Sequence, residues 1–155
     1  MYGLSPIVFS TPSLTTATLG PNDPKVGDRV NYNSTDYVFV YNNGASQIST
    51  GQGCILTGVS GFSVTVSSVT SVDQLVGVCK HNTIAASAYG WVVTKGFSNV
   101  VLSASVSGVA GDILILAADG NFIQKTISTG FVSPALVKLM SACASGASAM
   151  AYIDV

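Results

Sequence analysis

Residues 75–120 read LVGVCKHNTIAASAYGWVVTKGFSNVVLSASVSGVAGDILILAADG, and the centre of this stretch is YGWVVTKG, Tyr89 to Gly96. It contains the only Trp of the chain, with the only His ten residues upstream, and apolar runs separated by glycines in the manner of successive strands and turns. Side chains on a strand alternate with a period of two. Tyr89, Trp91, Val93 and Lys95 are therefore placed on one face, with Gly90, Val92 and Thr94 on the other. The large area of the indole makes Trp91 an anchor against which neighbouring strands pack, so Tyr89, Trp91 and Val93 are read as structural core.

The composition supports an all-β chain of a single domain. Charged residues make up 8% of the 155 positions, and all seven acidic residues are Asp. Helix surfaces draw on Glu, Lys and Ala, whereas the polar residues here are mostly Ser, Thr and Asn, which favour strands, turns and caps. A chain of this length can bury roughly 70% of the surface that its unfolded form exposes. The fold expected is one β-sandwich or barrel, jelly-roll-like, over 26–155, preceded by an extended arm over 1–25.

The arm is set apart by Pro6, Pro12, Pro21 and Pro24, which break helices and interrupt strand pairing. It has no charge before Asp23, and its apolar side chains need cover. Tyr2, Leu4, Ile7, Phe9 and Leu14 are accordingly candidate contacts with the arm's own domain, a sister subunit or another protein.

Further along, Asp28–Tyr32 and Asp36–Tyr41 form an expected hairpin across Asn33-Ser34-Thr35. Tyr37, Phe39 and Tyr41 face one way, Val38 and Val40 the other, so this strand is expected to be covered on both sides. Asn42-Asn43-Gly44 reads as a tight turn tolerant of positive φ. Short strands follow at 47–49 and 54–57. Phe62, Val64 and Val66 alternate with hydroxyl residues on a half-buried strand, 68–74 reads as a loop, and 75–80 and 89–95 as strands flanking a small-residue connection at 82–88. Asn99–Val106 is expected to turn Val100, Leu102, Ala104 and Val106 inward. Asp119-Gly120 joins strands at 112–117 and 121–127 and is the strongest hairpin signal. The Gly-Asp step at 27–28 recurs at 111–112, each time before a strand. From Ser133-Pro134-Ala135 the chain suits either a capped helix to Cys143 or a strand paired with Ala147–Asp154 across Ser145-Gly146.

No catalytic signature accompanies these patterns. Cys79 and His81, at i and i+2 on a strand, point the same way about 7 Å apart, too far for a hydrogen-bonded dyad. A zinc site would need Cys54 and Cys143 as well, at spacings that no zinc motif uses. The Asp and Asn residues of 23–43 match no calcium loop. No Gly-rich phosphate loop or nucleophile elbow occurs, and no Glu supplies a carboxylate pair. The expectation is a chain that is not an enzyme and takes no cofactor or metal.

A formal net charge of -1 provides no basic stripe for nucleic acid. The mean hydropathy of +0.52 is high for a soluble domain, yet no run reaches the ~18 apolar residues of a membrane helix. A weakly polar surface of this kind tends to associate, which suits an assembly subunit. The three cysteines are read as reduced, buried small hydrophobes. The beginning, MYGLSPIVFS, lacks the basic residues and long apolar core of a secretion signal, so synthesis in a cytoplasm is expected.

Val76-Gly77-Val78, Ile84 to Trp91, Gly96, and Ser105 to Gly120 with its GD and DG steps resemble the decoration (cement) and related structural proteins of tailed-bacteriophage capsids. Those proteins show a YGWV…G strand followed by SVxxGDxL…DG. VGDRVNYNSTDYVFVYNNG, 26–44, and AYIDV, 151–155, are similar to other virion proteins of that kind, so the resemblance spans most of the chain from Val26 onward. It implies a virion structural protein on the capsid exterior, made in the bacterial host cytoplasm and bound to the phage major capsid protein. It also implies self-association, as a homotrimer in preference to a dimer. The other reading is a receptor- or glycan-binding module of a tail fibre, which would turn Tyr37, Tyr41 or Trp91 to solvent.

Overall fold

The computed structural model describes residues 23–57, 61–66, 75–125 and 136–155, together with the backbone of 14–15. Among these residues eleven strands form one hydrogen-bonded sheet. They are β1 (Leu14–Thr15), β2 (Arg29–Tyr32), β3 (Thr35–Asn42), β4 (Gly53–Leu56), β5 (Ser63–Val66), β6 (Leu75–Cys79), β7 (Ala88–Val101), β8 (Ile113–Leu116), β9 (Phe122–Gln124), β10 (Leu136–Leu139) and β11 (Ser148–Asp154). The all-β expectation holds.

The strand that contains YGWVVTKG organises the sheet. β7 is 14 residues long and pairs with β1, β3, β6 and β11. Tyr89 lies between Leu14 and Tyr41, Val92 between Cys79 and Val38, and Lys95 between Asp154 and Asp36. Hence β3 follows one edge of β7, while β1, β6 and β11 succeed one another along the other.

Five of the strands close on themselves. β3 pairs in parallel with β5, β5 with β4, β4 with β6, β6 with β7, and β7 returns to β3. This ring is a small barrel. Its filling follows from strand alternation: Val38, Val40, Cys54, Val64, Cys79 and Val92 form one buried cluster with Ile48, Ile84 and Ala88. The opposite faces of β3, β4, β6 and β7 contribute Tyr37, Phe39, Ile55, Val78, Trp91 and Val93 to a second cluster, shared with Leu114, Leu116, Phe122, Val137, Ala151 and Ile153. β3 is thus covered on both sides, with Val38, Phe39 and Val40 fully buried. Each large side chain so buried contributes roughly 1.5–3 kcal/mol.

One turn closed by a Gly-Asp step is used twice. In Lys25–Asp28 and in Val109–Asp112 the Asp N–H donates to the carbonyl three residues back, and its carboxylate accepts from that residue's N–H. Gly27 and Gly111 occupy the third position with φ of 95° and 99°, as a type II turn requires. The Gly N–H then donates to Phe39 or Leu139, whose own N–H returns to the Asp carbonyl. The repeated Gly-Asp step is therefore a repeated piece of structure that starts β2 and β8.

Several expectations need correction. Asn42-Asn43-Gly44 does not make a hairpin turn, and none of the three has positive φ; the positive angles fall at Asn33 and Ser34, 49° and 59°, between β2 and β3. Asn42 is instead fully buried, and its amide N–H groups donate to Ser46, Ile84 and Ala85 carbonyls while its oxygen accepts from Gly44. β7 runs through Gly96 rather than ending before it. The chain leaves the sheet after Leu102 in a turn closed by Val106 N–H to Ser103 O, which buries Ser103 and exposes Ala104, reversing the alternation expected there. Leu136–Leu139 is a strand, paired with β11 in the register Val137↔Ile153, so the helix alternative falls. Cys143 is half-buried, not buried like Cys54 and Cys79. The loop at 68–74, the Ser133-Pro134-Ala135 start, and the arm from Met1 to Ser13 lie outside the described residues. Leu14 and Thr15 pair with Tyr89 and Ala88, so this part of the arm is tied by its backbone to the hub strand of its own domain.

Candidate functional site

The aromatic hub is built where β3 and β7 run side by side. The register Tyr37↔Val93, Phe39↔Trp91 and Tyr41↔Tyr89 places their rings on one face. Phe39 lies 5.0 Å from Trp91 and 5.8 Å from Tyr89, and Tyr41 lies 4.8 Å from Tyr89, between ring centroids. Trp91 is 9% exposed and Tyr37 2%, so neither presents a ring for a sugar to stack on. Tyr41 and Tyr89 are half-buried. Tyr89, Trp91 and Val93, read from the sequence as core, are brought together, with Val93 fully buried.

Cys79 and His81 are directed to different partners. The Cys79 thiol donates to the Asn82 carbonyl at 2.9 Å, while His81 Nε2 lies 3.1 Å from the Tyr37 phenol oxygen. Burial pushes the Cys79 thiol up to about 12 and raises Cys54 further, which keeps both protonated and poor nucleophiles at neutral pH. Burial and the neighbouring Lys80 charge lower the His81 pKa. Among the described residues no group of three or more His, Cys, Asp or Glu side chains is arranged to hold a metal.

The exposed chemistry lies elsewhere, on the outer face of β7 and β11. Phe97, 50% exposed, pairs with Tyr152, and the two rings meet edge to face at 5.4 Å. Lys95 and Asp154, two residues along the same pair of strands, form an exposed ion pair of 3.3 Å. Asn99 pairs with Met150, which is 44% exposed, and Met140 beside it is 46% exposed. Reading the strand as ending at Lys95 hid Phe97. The signal for it was the continued alternation of Lys95, Phe97 and Asn99 with Gly96, Ser98 and Val100.

With this architecture in hand, comparison with solved structures is informative. The N base of the head fibre gp8.5 of bacteriophage phi29 superposes with a TM-score of 0.53, covering 76% of this chain and 93% of that one at 11% identity. The fold resembles a phage head-fibre base. At this identity the likeness is one of fold. No family model matches the chain, and no curated protein matches it. No helix of the described residues is long and apolar enough to cross a membrane.

Proposed function

We propose that this chain is a structural protein of a phage virion, docked on the exterior of the assembled capsid, where it bridges neighbouring major capsid protein subunits. The observation that carries the reading is the likeness of fold to the phi29 head-fibre base over most of both chains. The sequence patterns around YGWV and GD…DG support it independently. Clamping a shell requires a rigid body and contact surface rather than a reactive group. A barrel filled on the inside and covered on the outside supplies the first; the apolar residues of the arm and the exposed Met140 and Met150 supply the second. Copies made in the host cytoplasm would associate, as a homotrimer in preference to a dimer, and so match sites repeated by the symmetry of the shell. In this reading no catalytic step, cofactor, nucleic acid or membrane is involved.

The arm divides at Leu14. Leu14 and Thr15 pair with β7, whereas Tyr2, Leu4, Ile7 and Phe9 precede that pairing in the chain and are assigned to a sister subunit or the capsid. Burying one such side chain is worth roughly 1.5–3 kcal/mol, enough for a few of them to dominate a modest interface. The test is co-sedimentation of the purified protein with capsids that lack it, followed by imaging of the decorated shells. Saturable, symmetric occupancy is expected, with weaker occupancy after deletion of residues 1–13. Absence of the full-length chain from the capsid surface would overturn the reading; unchanged occupancy of the truncated chain would overturn the role of the arm alone.

A further inference from the structure

Between the β2–β3 turn and the start of the β7–β11 pair lies an open cleft of about 560 Å³. One wall is Phe97, held edge-on by Tyr152 and half open to solvent. Asn31 and Asp36 also line the cleft, joined by a 2.6 Å bond from the amide Nδ2 to the carboxylate. That bond uses one carboxylate oxygen and one amide N–H, and the two groups have capacity beyond it in the second carboxylate oxygen, the Asn31 oxygen and the other amide N–H. Lys80 extends along the cleft, donating to the Phe97 carbonyl at 2.9 Å and retaining further N–H groups.

The walls are held by backbone rather than by side-chain packing alone. The Asn33-Ser34 turn has both residues at positive φ, which fixes the approach of β2 to β3. Gly96, at φ +116°, lies so close that an added Cβ would sit 3.1 Å from Thr35 Oγ1 and 3.2 Å from Ser34 O. β7 and the turn are therefore in direct contact beneath the cleft. The charges around it cancel: Lys80 and Lys95 are balanced by Asp36 and by Asp154, which pairs with Lys95.

We infer that this cleft binds a neutral saccharide, with a pyranose ring stacked on Phe97 and its hydroxyls bonded by Asn31, Asp36 and Lys80. The apolar face of a pyranose matches an exposed ring, its rim of hydroxyls matches paired amide and carboxylate groups that both donate and accept, and charge balance disfavours an anionic ligand. A sugar site here also differs from the aromatic hub, whose Tyr37, Phe39 and Trp91 side chains are buried.

The experiment is saturation-transfer NMR on the full-length protein with maltotriose, cellotriose and chitotriose, three neutral oligosaccharides of different linkage and stereochemistry. Transfer to the ring protons of at least one is expected. Phe97→Ala should weaken it at least about tenfold, and Asp36→Asn with Asn31→Ala by a similar factor. Leu56→Ala, exposed elsewhere on the surface, should leave it unchanged. Circular dichroism confirms that each variant is folded, and Phe97→Tyr, which retains a ring, should bind when Phe97→Ala does not. No transfer from the folded wild-type protein to any of the three, or undiminished transfer from Phe97→Ala, would overturn the assignment.

Discussion

The Tyr37 phenol oxygen stands 3.1 Å from His81 Nε2, and the two rings stack at 5.8 Å, which joins β3 to the segment just beyond the end of β6. The contact has a pH signature. Burial, and then Lys80, lower the His81 pKa from 6.5, so the folded state prefers the neutral ring. The unfolded chain binds the proton more readily, and stability therefore rises with pH in the window where only the unfolded chain is protonated. The His81 contribution is complete above the unfolded value of 6.5 and is lost as pH falls through the lower folded value. Thermal melts between pH 8 and pH 5 should show the midpoint falling on acidification, and His81→Gln should flatten that part of the profile. An identical profile for the variant would assign the pH dependence elsewhere.

Asn42 presents a sharper electrostatic test. Its amide nitrogen faces the Ser46, Ile84 and Ala85 carbonyls at 2.9, 3.1 and 3.0 Å from a fully buried position. Asn42→Ala strands these acceptors and should cost about 2 to 4 kcal/mol in a denaturant titration. Asn42→Asp should be worse at neutral pH, because a carboxylate would face three oxygens, and should recover part of the loss when acid protonates it. Equal stability of Asn42→Asp and wild type at pH 7 would show that the amide is not what holds these strands.

Trp91→Ala removes the largest side chain of the shared core and should destabilise the protein by ~3 to 5 kcal/mol. Urea unfolding followed by circular dichroism measures this directly. A variant that unfolds like the parent but no longer decorates capsids would make Trp91 a contact residue instead.

Gly111→Ala isolates backbone strain. No atom lies within 4 Å of the added Cβ, so the penalty comes from φ of +99° alone and should be about 1 to 2 kcal/mol. Asp112→Ala, which removes the carboxylate acceptor of the Val109 N–H, should cost about 0.5 to 1.5 kcal/mol through the same turn. Both are read from the shift in denaturation midpoint.

Thiol accessibility separates the cysteines. Cys54 and Cys79 are buried with raised pKa values, whereas Cys143 is half-buried. In the native protein an aromatic disulfide reagent at pH 8 should titrate only Cys143 promptly, and the other two should react after unfolding. Prompt reaction of all three would mean that the barrel opens readily.

The amino-acid sequence by itself determined the strand content, the faces of β3 and β7, the Asp119-Gly120 hairpin and the central place of Tyr89–Gly96. These follow from local rules: alternation sets which side chains share a face, and turn residues set where the chain reverses. The absence of Glu and the shortage of charge argued against helices, and the one helical alternative left, from Ser133 to Cys143, fell only to the Val137↔Ile153 pairing. The reuse of a Gly-Asp turn was visible as a dipeptide, because one backbone conformation and one short carboxylate carry it.

Only the tertiary structure decided the rest. Closure of the barrel depends on β3 meeting both β5 and β7, pairings between segments distant in sequence that no local pattern encodes. Asn42 looked like a turn residue because Asn-Asn-Gly suits a turn; the carbonyls of Ile84 and Ala85, from a distant segment, converge on it with that of Ser46 and make it a buried strut. The cleft beside Phe97 exists because Gly96 lets β7 continue past Lys95 while the Asn33-Ser34 turn packs against it, and a surface made by two segments sixty residues apart is a property of their packing, not of either sequence.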